Sequence, residues 1–305
     1  MLRKHSNLIS RIRIYALLFI LFSFYFTSSS IYVEQYADFE DEEVPQSGTT
    51  SVSAKKIRWE DSSKWELIFS DEFDGDAIDE SKWESLEYNR RGNDNGPDGW
   101  WLKDQVYLNG MGQLVISFNK VKNLNKDNDP YDYATGMVRT KNKFENTYGK
   151  YEIRCKLPSQ KGWWVAFWMI TDQVIQVDGT GTDGAEIDIF EGFGWNNIIY
   201  HSVHWDGYGS YHKSISSYAR LKNRDDYHTY SLIWTPTDYQ FYIDGVLTWQ
   251  TEGGGVSSVP EYIKISGETT SSGWIITDKW ANDPQEAEFP DEFLIDYVRV
   301  YRYMD

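Results

Sequence analysis

Three acidic residues, Glu186, Asp188 and Glu191, have the spacing of a catalytic carboxylate set. Glu186 and Asp188 are two residues apart, so on a β-strand their side chains point to the same face. Glu191 is an odd number of residues from Glu186, and a regular strand would turn it toward the core, where an unpaired carboxylate is strongly destabilising. A β-bulge at Ile189 and Phe190 removes this conflict and returns Glu191 to the face of the other two.

Three carboxylates on one strand face have the chemistry of glycoside hydrolysis. Like charges this close cannot all ionise freely, so at least one pKa should rise. The reaction needs a carboxylate nucleophile and a protonated carboxyl acid, and a separation of roughly 5–5.5 Å gives retention of configuration. Asp188 would hydrogen-bond Glu186 and tune its charge. The alternatives are a Ca²⁺ site or a solvated acidic face, and the neighbouring Trp-rich segment favours catalysis over both.

The composition of the chain limits its partners. Its 305 residues carry a formal net charge of −17, and such a surface repels phosphate backbones, which predicts that the protein does not bind nucleic acid. The charge also argues mildly against a heavily sulfated polysaccharide, although one basic cleft could override the average. The 14 Trp and 22 Tyr residues either line a carbohydrate groove, where flat rings stack on sugars, or pack in strands.

The first 30 residues have the order of a secretory signal. Basic residues precede an apolar run from Ile14 to Phe26, which is short for a membrane span, and small polar residues follow it. We therefore expect a secreted protein, extracellular or periplasmic, without stable membrane association unless this leader stays uncleaved as an anchor. Residues 31–56 have the acidic, then Ser/Thr-rich composition of a flexible linker. Cys155 is the single cysteine, so no disulfide forms within the chain.

From residue 57 to 305 the pattern is one of short strands broken by turn residues. Asp244-Gly245 is a hairpin signal, and neither a long amphipathic helix nor a repeat interrupts the pattern. It predicts one all-β domain built as a two-sheet antiparallel β-sandwich. The clearest predicted strands cover residues 114–118, 151–157, 230–234, 240–243 and 293–301.

The acidic motif and its surroundings resemble glycoside hydrolase family 16. The family hallmark is E-x-D-x-x-E on a bulged strand, or E-x-D-x-E in an unbulged branch, and this chain has the bulged form. The resemblance implies a concanavalin A-like jelly roll of two curved sheets with an open concave substrate cleft. It extends from about Ile57 to Tyr301 through seven segments in the family's order, namely Phe69–Gly75, Gly112–Ile116, Tyr148–Glu152, Gly162–Trp168, Tyr227–Trp234, Phe241–Gly245 and Ile295–Tyr301.

The resemblance implies roles for the three acids: Glu186 as the nucleophile, Asp188 as its helper and Glu191 as the acid/base. The bulged motif is similar to that of laminarinase-like members, which implies retaining endo-hydrolysis of a β-linked polysaccharide, either a β-1,3- or a β-1,3/1,4-glucan. The runner-up is an endo-β-galactosidase or agarase-like specificity. A non-catalytic glucan-binding protein is a third reading, but such relatives have typically lost the carboxylates. We expect a monomer that needs no cofactor for catalysis.

The resemblance also implies residues that contact the sugar. Trp164 and Trp168 match aromatic positions that flank the cleft, although Trp168 fits a core position equally well. His204 matches a histidine on the strand beside the catalytic one, where it either hydrogen-bonds the acid/base or the sugar, or is structural. His201 faces the other way or lies deeper, and we assign it no role.

The chain departs from the common β-glucanase pattern between residues 263 and 274. There Glu268 is either a further carboxylate near the cleft or a salt-bridged strand end, and Trp274 is a further candidate for contact with the substrate. An insertion at residues 172–182 precedes the catalytic strand. Both departures affect the identity of the substrate and leave the proposed chemistry intact.

Many members of the family bind a structural Ca²⁺ on the convex side. Asp296 and the carbonyl groups of Glu72 and Gly112 match the positions of its ligands, and oxygen ligands suit this ion. The resemblance therefore implies a possible Ca²⁺ that stabilises the fold without taking part in catalysis.

Overall fold

The computed structural model describes residues 30–32, 62–93, 96–125, 129–269, 271 and 281–304. Within these ranges the helical segments are four short 3₁₀ turns, at Ser62–Lys64, Lys103–Gln105, Asp172–Ile175 and Pro284–Glu286. None of the described helices is long and apolar enough to cross a membrane. The remaining regular structure is β-strand, which agrees with the all-β prediction.

The described strands are numbered in chain order. They are β1 (Ser30–Tyr32), β2 (Trp65–Asp71), β3 (Glu84–Ser85), β4 (Tyr88–Arg91), β5 (Gly99–Trp101), β6 (Val106–Leu108), β7 (Leu114–Lys122), β8 (Tyr131–Thr135), β9 (Met137–Arg139), β10 (Glu145–Asn146), β11 (Gly149–Lys156), β12 (Trp164–Ile170), β13 (Glu186–Phe193), β14 (Ile198–Trp205), β15 (Lys213–Arg220), β16 (His228–Trp234), β17 (Tyr239–Ile243), β18 (Val246–Thr251), β19 (Glu261–Glu268) and β20 (Asp291–Tyr303).

These strands form two sheets. The nine-stranded cleft sheet has the order β1-β15-β14-β13-β12-β19-β9-β3, with β10 also paired to β19. The eleven-stranded back sheet has the order β18-β17-β16-β11-β20-β7-β8-β5-β4, with β2 on β20 and β6 on β7. Most neighbours are antiparallel, and the parallel pairs are β1 with β15 and β5 with β8. The sequence motif of three acids lies on β13, near the middle of the cleft sheet.

The alternation of side chains on β12 shows how the sandwich is built. Val165, Phe167 and Met169 belong to the main core between the sheets, whereas Ala166 and Trp168 belong to a separate small cluster on the other face. A strand with period two must place alternate residues on opposite faces. The main core also contains residues of the back sheet, and the Phe190 ring stacks on Tyr230 with centroids 4.2 Å apart.

The predicted strands are confirmed, with β7, β11, β16, β17 and β20 each covering all or nearly all of its predicted range. Asp244 and Gly245 have φ of 51° and 79°, the positive values that a tight hairpin of this type requires. Of the predicted leader and linker, only Ser30–Tyr32 are described, as strand β1; the other residues of both segments lie outside the described ranges. Cys155 is buried and free.

Candidate active site

The bulge predicted from the acidic motif is present in β13. Asp188 pairs with Ser202 and Glu191 with Tyr200, so two residues of β13 lie opposite the single residue His201. The two residues of the bulge, Ile189 and Phe190, are both fully buried in the core between the sheets. Two consecutive side chains therefore point inward, and Glu191 returns to the outer face that carries Glu186 and Asp188.

This outer face lines a cleft of about 760 Å³, a volume in the range of ligand sites. The three acids project into it from β13, together with side chains of β12, β14, β15 and β19. An oxygen of Glu186, an oxygen of Asp188 and a ring nitrogen of His204 lie within 4.8 Å of one another. The sequence-predicted acids and His204 are thus brought together at one place.

Asp188 has a different partner from the one expected from sequence. We expected it to hydrogen-bond Glu186, but its Oδ2 lies 3.2 Å from Nε2 of His204. The partner of Glu186 is instead Tyr208, whose hydroxyl donates a hydrogen bond of 2.5 Å to Oε2. The Ser202 hydroxyl donates to Oε2 of Glu191 over 3.3 Å. Neither Tyr208 nor Ser202 was found from sequence, because a single Tyr or Ser carries no pattern.

The electrostatics separate the two glutamates. Burial and the nearby charge of Asp188 raise the pKa of Glu186 to about 7, against the opposing effects of His204 and the Tyr208 hydrogen bond. Burial, Asp188 and Glu186 raise the pKa of Glu191 well above its ordinary value. At neutral pH the arrangement favours a proton on Glu191 while Glu186 can ionise.

His204 is held in its charged form. Burial lowers its pKa, but the hydrogen bond and charge of Asp188 and the charges of the two glutamates outweigh burial and raise the pKa to about 9. Its Nδ1 lies 2.9 Å from Nε2 of His212, whose own pKa burial and the charge of His204 lower. A charged His204 donating both protons, one to Asp188 and one to neutral His212, satisfies every contact.

His201, to which the sequence assigned no role, lies on the opposite face of β14. It is fully buried, and burial lowers its pKa to about 4, so the ring is neutral. Nδ1 donates a 2.7 Å hydrogen bond to the carbonyl oxygen of Ile189, inside the bulge. Nε2 lies 2.9 Å from the hydroxyl of Thr248 on β18 of the back sheet. The ring of His201 thereby connects the Ile189 carbonyl of the bulge to Thr248 of the opposite sheet.

Trp164 and Trp168 both line the cleft. Trp164 is partly exposed, with Phe193 stacked at a centroid distance of 6.1 Å. Trp168 is 7% exposed; its Nε1 donates to the Ser266 hydroxyl over 3.0 Å, and the Lys264 ammonium lies 3.6 Å from its ring centroid. Trp164 is thus the more exposed of the two residues. Trp274 lies outside the described residues.

Glu268 combines the two alternatives left open by the sequence, because it lines the cleft and is also salt-bridged. It is the last residue of β19 and is 4% exposed. Its Oε1 accepts hydrogen bonds from Nε and Nη2 of Arg90, at 3.1 and 2.8 Å. Its Oε2 accepts from Nε of Arg91 at 2.7 Å and from Nη2 of the same side chain. Both arginines lie on β4, far away in sequence.

The acidic cluster does not favour a metal ion. Glu186, Asp188 and His204 form the candidate metal-ligand group recognised in the described part of the chain. Ca²⁺ takes about six to eight oxygen ligands, whereas this group offers two carboxylates and one imidazole nitrogen. This observation supports the catalytic reading of the triplet over the Ca²⁺ alternative.

The structural Ca²⁺ site that the resemblance implies is matched only in part. Gly112 has φ of 76°, and a Cβ there would lie 4.0 Å from the Glu72 carbonyl oxygen and 3.1 Å from a carboxylate oxygen of Asp74. Asp296, the one expected side-chain ligand, instead forms an ion pair with the guanidinium of Arg154. The charge of Arg154 disfavours a cation beside that pair, and calcium binding stays a prediction.

Comparison with known proteins agrees with the geometry. The sequence profile of the glycosyl hydrolases family 16 matches residues 93–299. A keratan-sulfate endo-1,4-beta-galactosidase of Sphingobacterium multivorum is 30% identical over 78% of this chain and 55% of its own length. A beta-glucanase of Rhodothermus marinus is 28% identical over 79% of this chain and 86% of its own. This chain therefore spans about half the length of the first relative.

A solved structure shows the same fold. The laminarinase catalytic domain of Thermotoga maritima aligns with 79% of this chain and 100% of its own, with a TM-score of 0.63 and 28% identity. This chain has two sheets and a bulged strand that carries the acidic motif. The family profile matches about two thirds of its sequence, and these observations lead to the same conclusion. The chain belongs to the glycosyl hydrolases family 16.

Proposed function

We propose that the protein is a retaining endo-glycosidase that hydrolyses a β-linked polysaccharide by double displacement. The observation that carries the proposal is the bulge of β13, which places Glu186 and Glu191 on one cleft face with both pKa values raised. Paired carboxyl groups in different protonation states are what this reaction requires. Membership of the family and the names of the relatives support the same reaction class.

In the first step the ionised carboxylate of Glu186 attacks the anomeric carbon, and Glu191 donates its proton to the departing glycosidic oxygen. The sugar is then covalently bound to Glu186 through an ester. In the second step Glu191, now ionised, takes a proton from water, whose oxygen attacks the anomeric carbon and releases Glu186. The Tyr208 hydroxyl and the charged His204 lie where they stabilise the anionic form of Glu186.

The leading substrate class is a β-1,3- or mixed β-1,3/1,4-glucan. The support is the likeness to proteins named beta-glucanase, glucan endo-1,3-beta-glucosidase and laminarinase. A second candidate is a β-linked galactan, supported by the likeness to a keratan-sulfate endo-1,4-beta-galactosidase. Glu268, which lies in a segment that the sequence marked as a departure from the common β-glucanase pattern, lines the cleft, and this observation supports the second candidate.

The test is hydrolysis of a panel of laminarin, lichenan, agarose, galactan and keratan, with products sized and their initial anomer identified by NMR. Glu186→Gln and Glu191→Gln should each lower kcat by about 10³-fold or more, in the range of catalytic acid–base groups. Azide should restore activity to Glu186→Ala with inverted products. Glu292→Gln on β20 of the back sheet is the matched control and should keep parental activity. Near-normal rates in either cleft variant would overturn the assignment.

We also propose that the mature protein is exported and monomeric. The support is the order of basic, apolar and small residues in positions 1–30 and the acidic net charge of −17. Mass spectrometry of the protein from its own cells should find an N-terminus near residue 30, and sedimentation should give one chain per particle. Retention of the full leader would indicate an anchor instead.

A further inference from the structure

The end of the cleft next to Trp164 carries a fixed pair of guanidinium groups. Glu268 is opposite Trp164 in the pairing of β12 with β19, and each of its oxygens accepts two hydrogen bonds from one arginine of β4. Arg90 lies over the Trp101 ring with its central carbon 4.9 Å from the centroid, and Arg91 over the Trp164 ring at 5.4 Å. Each guanidinium is thus held along one edge and over one face.

The remaining Nη1 group of each arginine is available to a ligand. Both arginines line the cleft, and their side chains are 31% and 30% exposed. Within the described part of the chain, neither Nη1 donates a hydrogen bond. Two fixed N–H donor groups at the wall of a substrate cleft form a recognition element for an anionic oxygen group, because guanidinium groups pair with carboxylate and sulfate-like oxygens in charge-assisted hydrogen bonds.

The charge at this end of the cleft is positive, although the whole chain carries −17. Lys264 lies on the same strand as Glu268, and its pKa is lowered by burial to about 8, so it is still largely charged at neutral pH. The three cations Arg90, Arg91 and Lys264 outnumber Glu268 and Glu186, the two carboxylates with which they interact, so one positive charge is left over. Partly buried charges are costly unless paired. An anionic ligand supplies the missing charge.

Proximity to the reacting groups places this element within one substrate-binding site. Arg90 and Lys264 each interact electrostatically with Glu186. A neutral sugar would need hydrogen-bond donors here but not a net positive charge. We propose that the Arg90–Arg91 pair, positioned by Glu268, binds an anionic substituent, a sulfate ester or a carboxylate, on a sugar of the substrate at the Trp164 end of the cleft. This inference rests on the proposed function as a polysaccharide hydrolase.

The experiment measures binding apart from hydrolysis. Inactive Glu191→Gln protein is titrated calorimetrically with size-matched oligosaccharides of keratan sulfate, the same oligosaccharides after chemical desulfation, and laminarin oligosaccharides with and without carboxymethyl groups. We expect at least about 10-fold tighter binding of one charged form over its neutral counterpart, and a steeper loss of affinity with added salt for the charged form. The sulfated and carboxylated arms identify which anion is preferred.

Three variants in the same background check the origin of any preference. Arg91→Gln should reduce it about 10-fold or more, and Lys264→Met, which leaves the hydrogen bonds of Glu268 in place, should reduce it by a smaller factor. Arg302→Gln removes one charge from an exposed arginine on β20 and should leave the preference unchanged. If Arg91→Gln does not fold, the double variant Arg91→Gln/Glu268→Gln removes the ion pair between Arg91 and Glu268 and leaves no buried carboxylate without its partner.

The outcomes separate the inference from the proposed function. Equal or weaker binding of both charged forms, or a preference that survives loss of Arg91 and Lys264, overturns the inference even if the active enzyme cleaves neutral glucans. Preferential binding of a charged form with no cleavage of any polysaccharide by the active protein would instead uphold the binding site and overturn the hydrolase proposal.

Discussion

Two histidines three residues apart on β14 have opposite environments. His201 faces the interior between the sheets and is fully buried, and its pKa is lowered to about 4. His204 faces the cleft beside Asp188, and its pKa is raised to about 9. Burial acts on both rings in the same direction, toward the neutral form. The difference arises because only His204 has carboxylates close to it.

The comparison shows that the two faces of β14 have different roles: the interior face supports the backbone of the bulge, and the cleft face sets the charge around the acids. The interior histidine is neutral with a fixed tautomer, and it holds the carbonyl group of the bulge at Ile189. The cleft histidine is charged and acts on the acids that the bulge brings together. Changes on the interior face should therefore alter stability first, and changes on the cleft face should alter rate and pH dependence first.

Among the changes that test this comparison of the two faces, Asp188→Asn on the cleft face should have the largest effect. Asp188 raises the pKa of Glu186, Glu191 and His204, so removing its charge should lower all three. Glu191 would then lose its proton at lower pH, and the alkaline limb of the kcat profile should move to lower pH. We expect kcat at the optimum to fall about 10²-fold or more.

The pH profile of kcat against the best polysaccharide of the panel measures this effect. Asp225→Asn, at an exposed position, is the matched control and should retain the parental profile. An alkaline limb that stays in place in Asp188→Asn would mean that the charge of Asp188 does not set the protonation of the acid.

On the interior face, His201→Ala should lower the free energy of unfolding by about 3 kcal/mol. It removes a buried ring and leaves the Ile189 carbonyl and the Thr248 hydroxyl without this partner, and each loss of this kind is substantial. Urea unfolding measures the change. The pH limbs of the remaining activity should not move, because the ring is neutral in the working range. A variant as stable as the parent would show that His201 does not support the bulge.

His204→Gln makes the reciprocal change on the cleft face. The positive charge of His204 lowers the pKa of Glu186, so its loss should raise that pKa and move the acidic limb of kcat to higher pH, the opposite direction from Asp188→Asn. We expect kcat at neutral pH to fall about 10-fold, and stability to change by less than about 1 kcal/mol. A stability loss as large as that of His201→Ala would break the division between the two faces.

The parts of the site that the sequence predicts are those set by strand periodicity. The odd separation of Glu186 and Glu191 requires a bulge, because the alternative is a buried unpaired carboxylate, and the structure has that bulge. Such inferences need only local geometry and the rule that charges avoid the core.

The contacts that the sequence does not predict join residues that are distant along the chain. Arg90 and Arg91 reach Glu268 from a strand about 180 residues earlier, and His201 reaches Thr248 across the sandwich. The register between sheets and the ends of strands decides these contacts, and no local pattern records it. The expected hydrogen bond between Asp188 and Glu186 failed for a related reason, because His204 of the neighbouring strand is a better partner for an anion.

The smallest expected effect is that of Thr248→Val, which sharpens the role of His201. Valine keeps the volume but removes the hydroxyl next to Nε2 of His201, while the bond from Nδ1 to Ile189 stays. We expect a loss of about 1 kcal/mol in unfolding free energy and a kcat within about twofold of the parent. In His201→Ala/Thr248→Val the two losses should be less than additive, because the variants share the loss of the contact between Nε2 and the Thr248 hydroxyl. The hydroxyl also lies 3.0 Å from the Phe241 carbonyl oxygen, and the loss of that contact belongs to Thr248→Val alone. Full additivity would mean that Thr248 supports the back sheet independently of His201. A kcat loss of Thr248→Val well above twofold would mean that the bulge depends on the hydroxyl of Thr248 as well as on the bond from His201 to the Ile189 carbonyl.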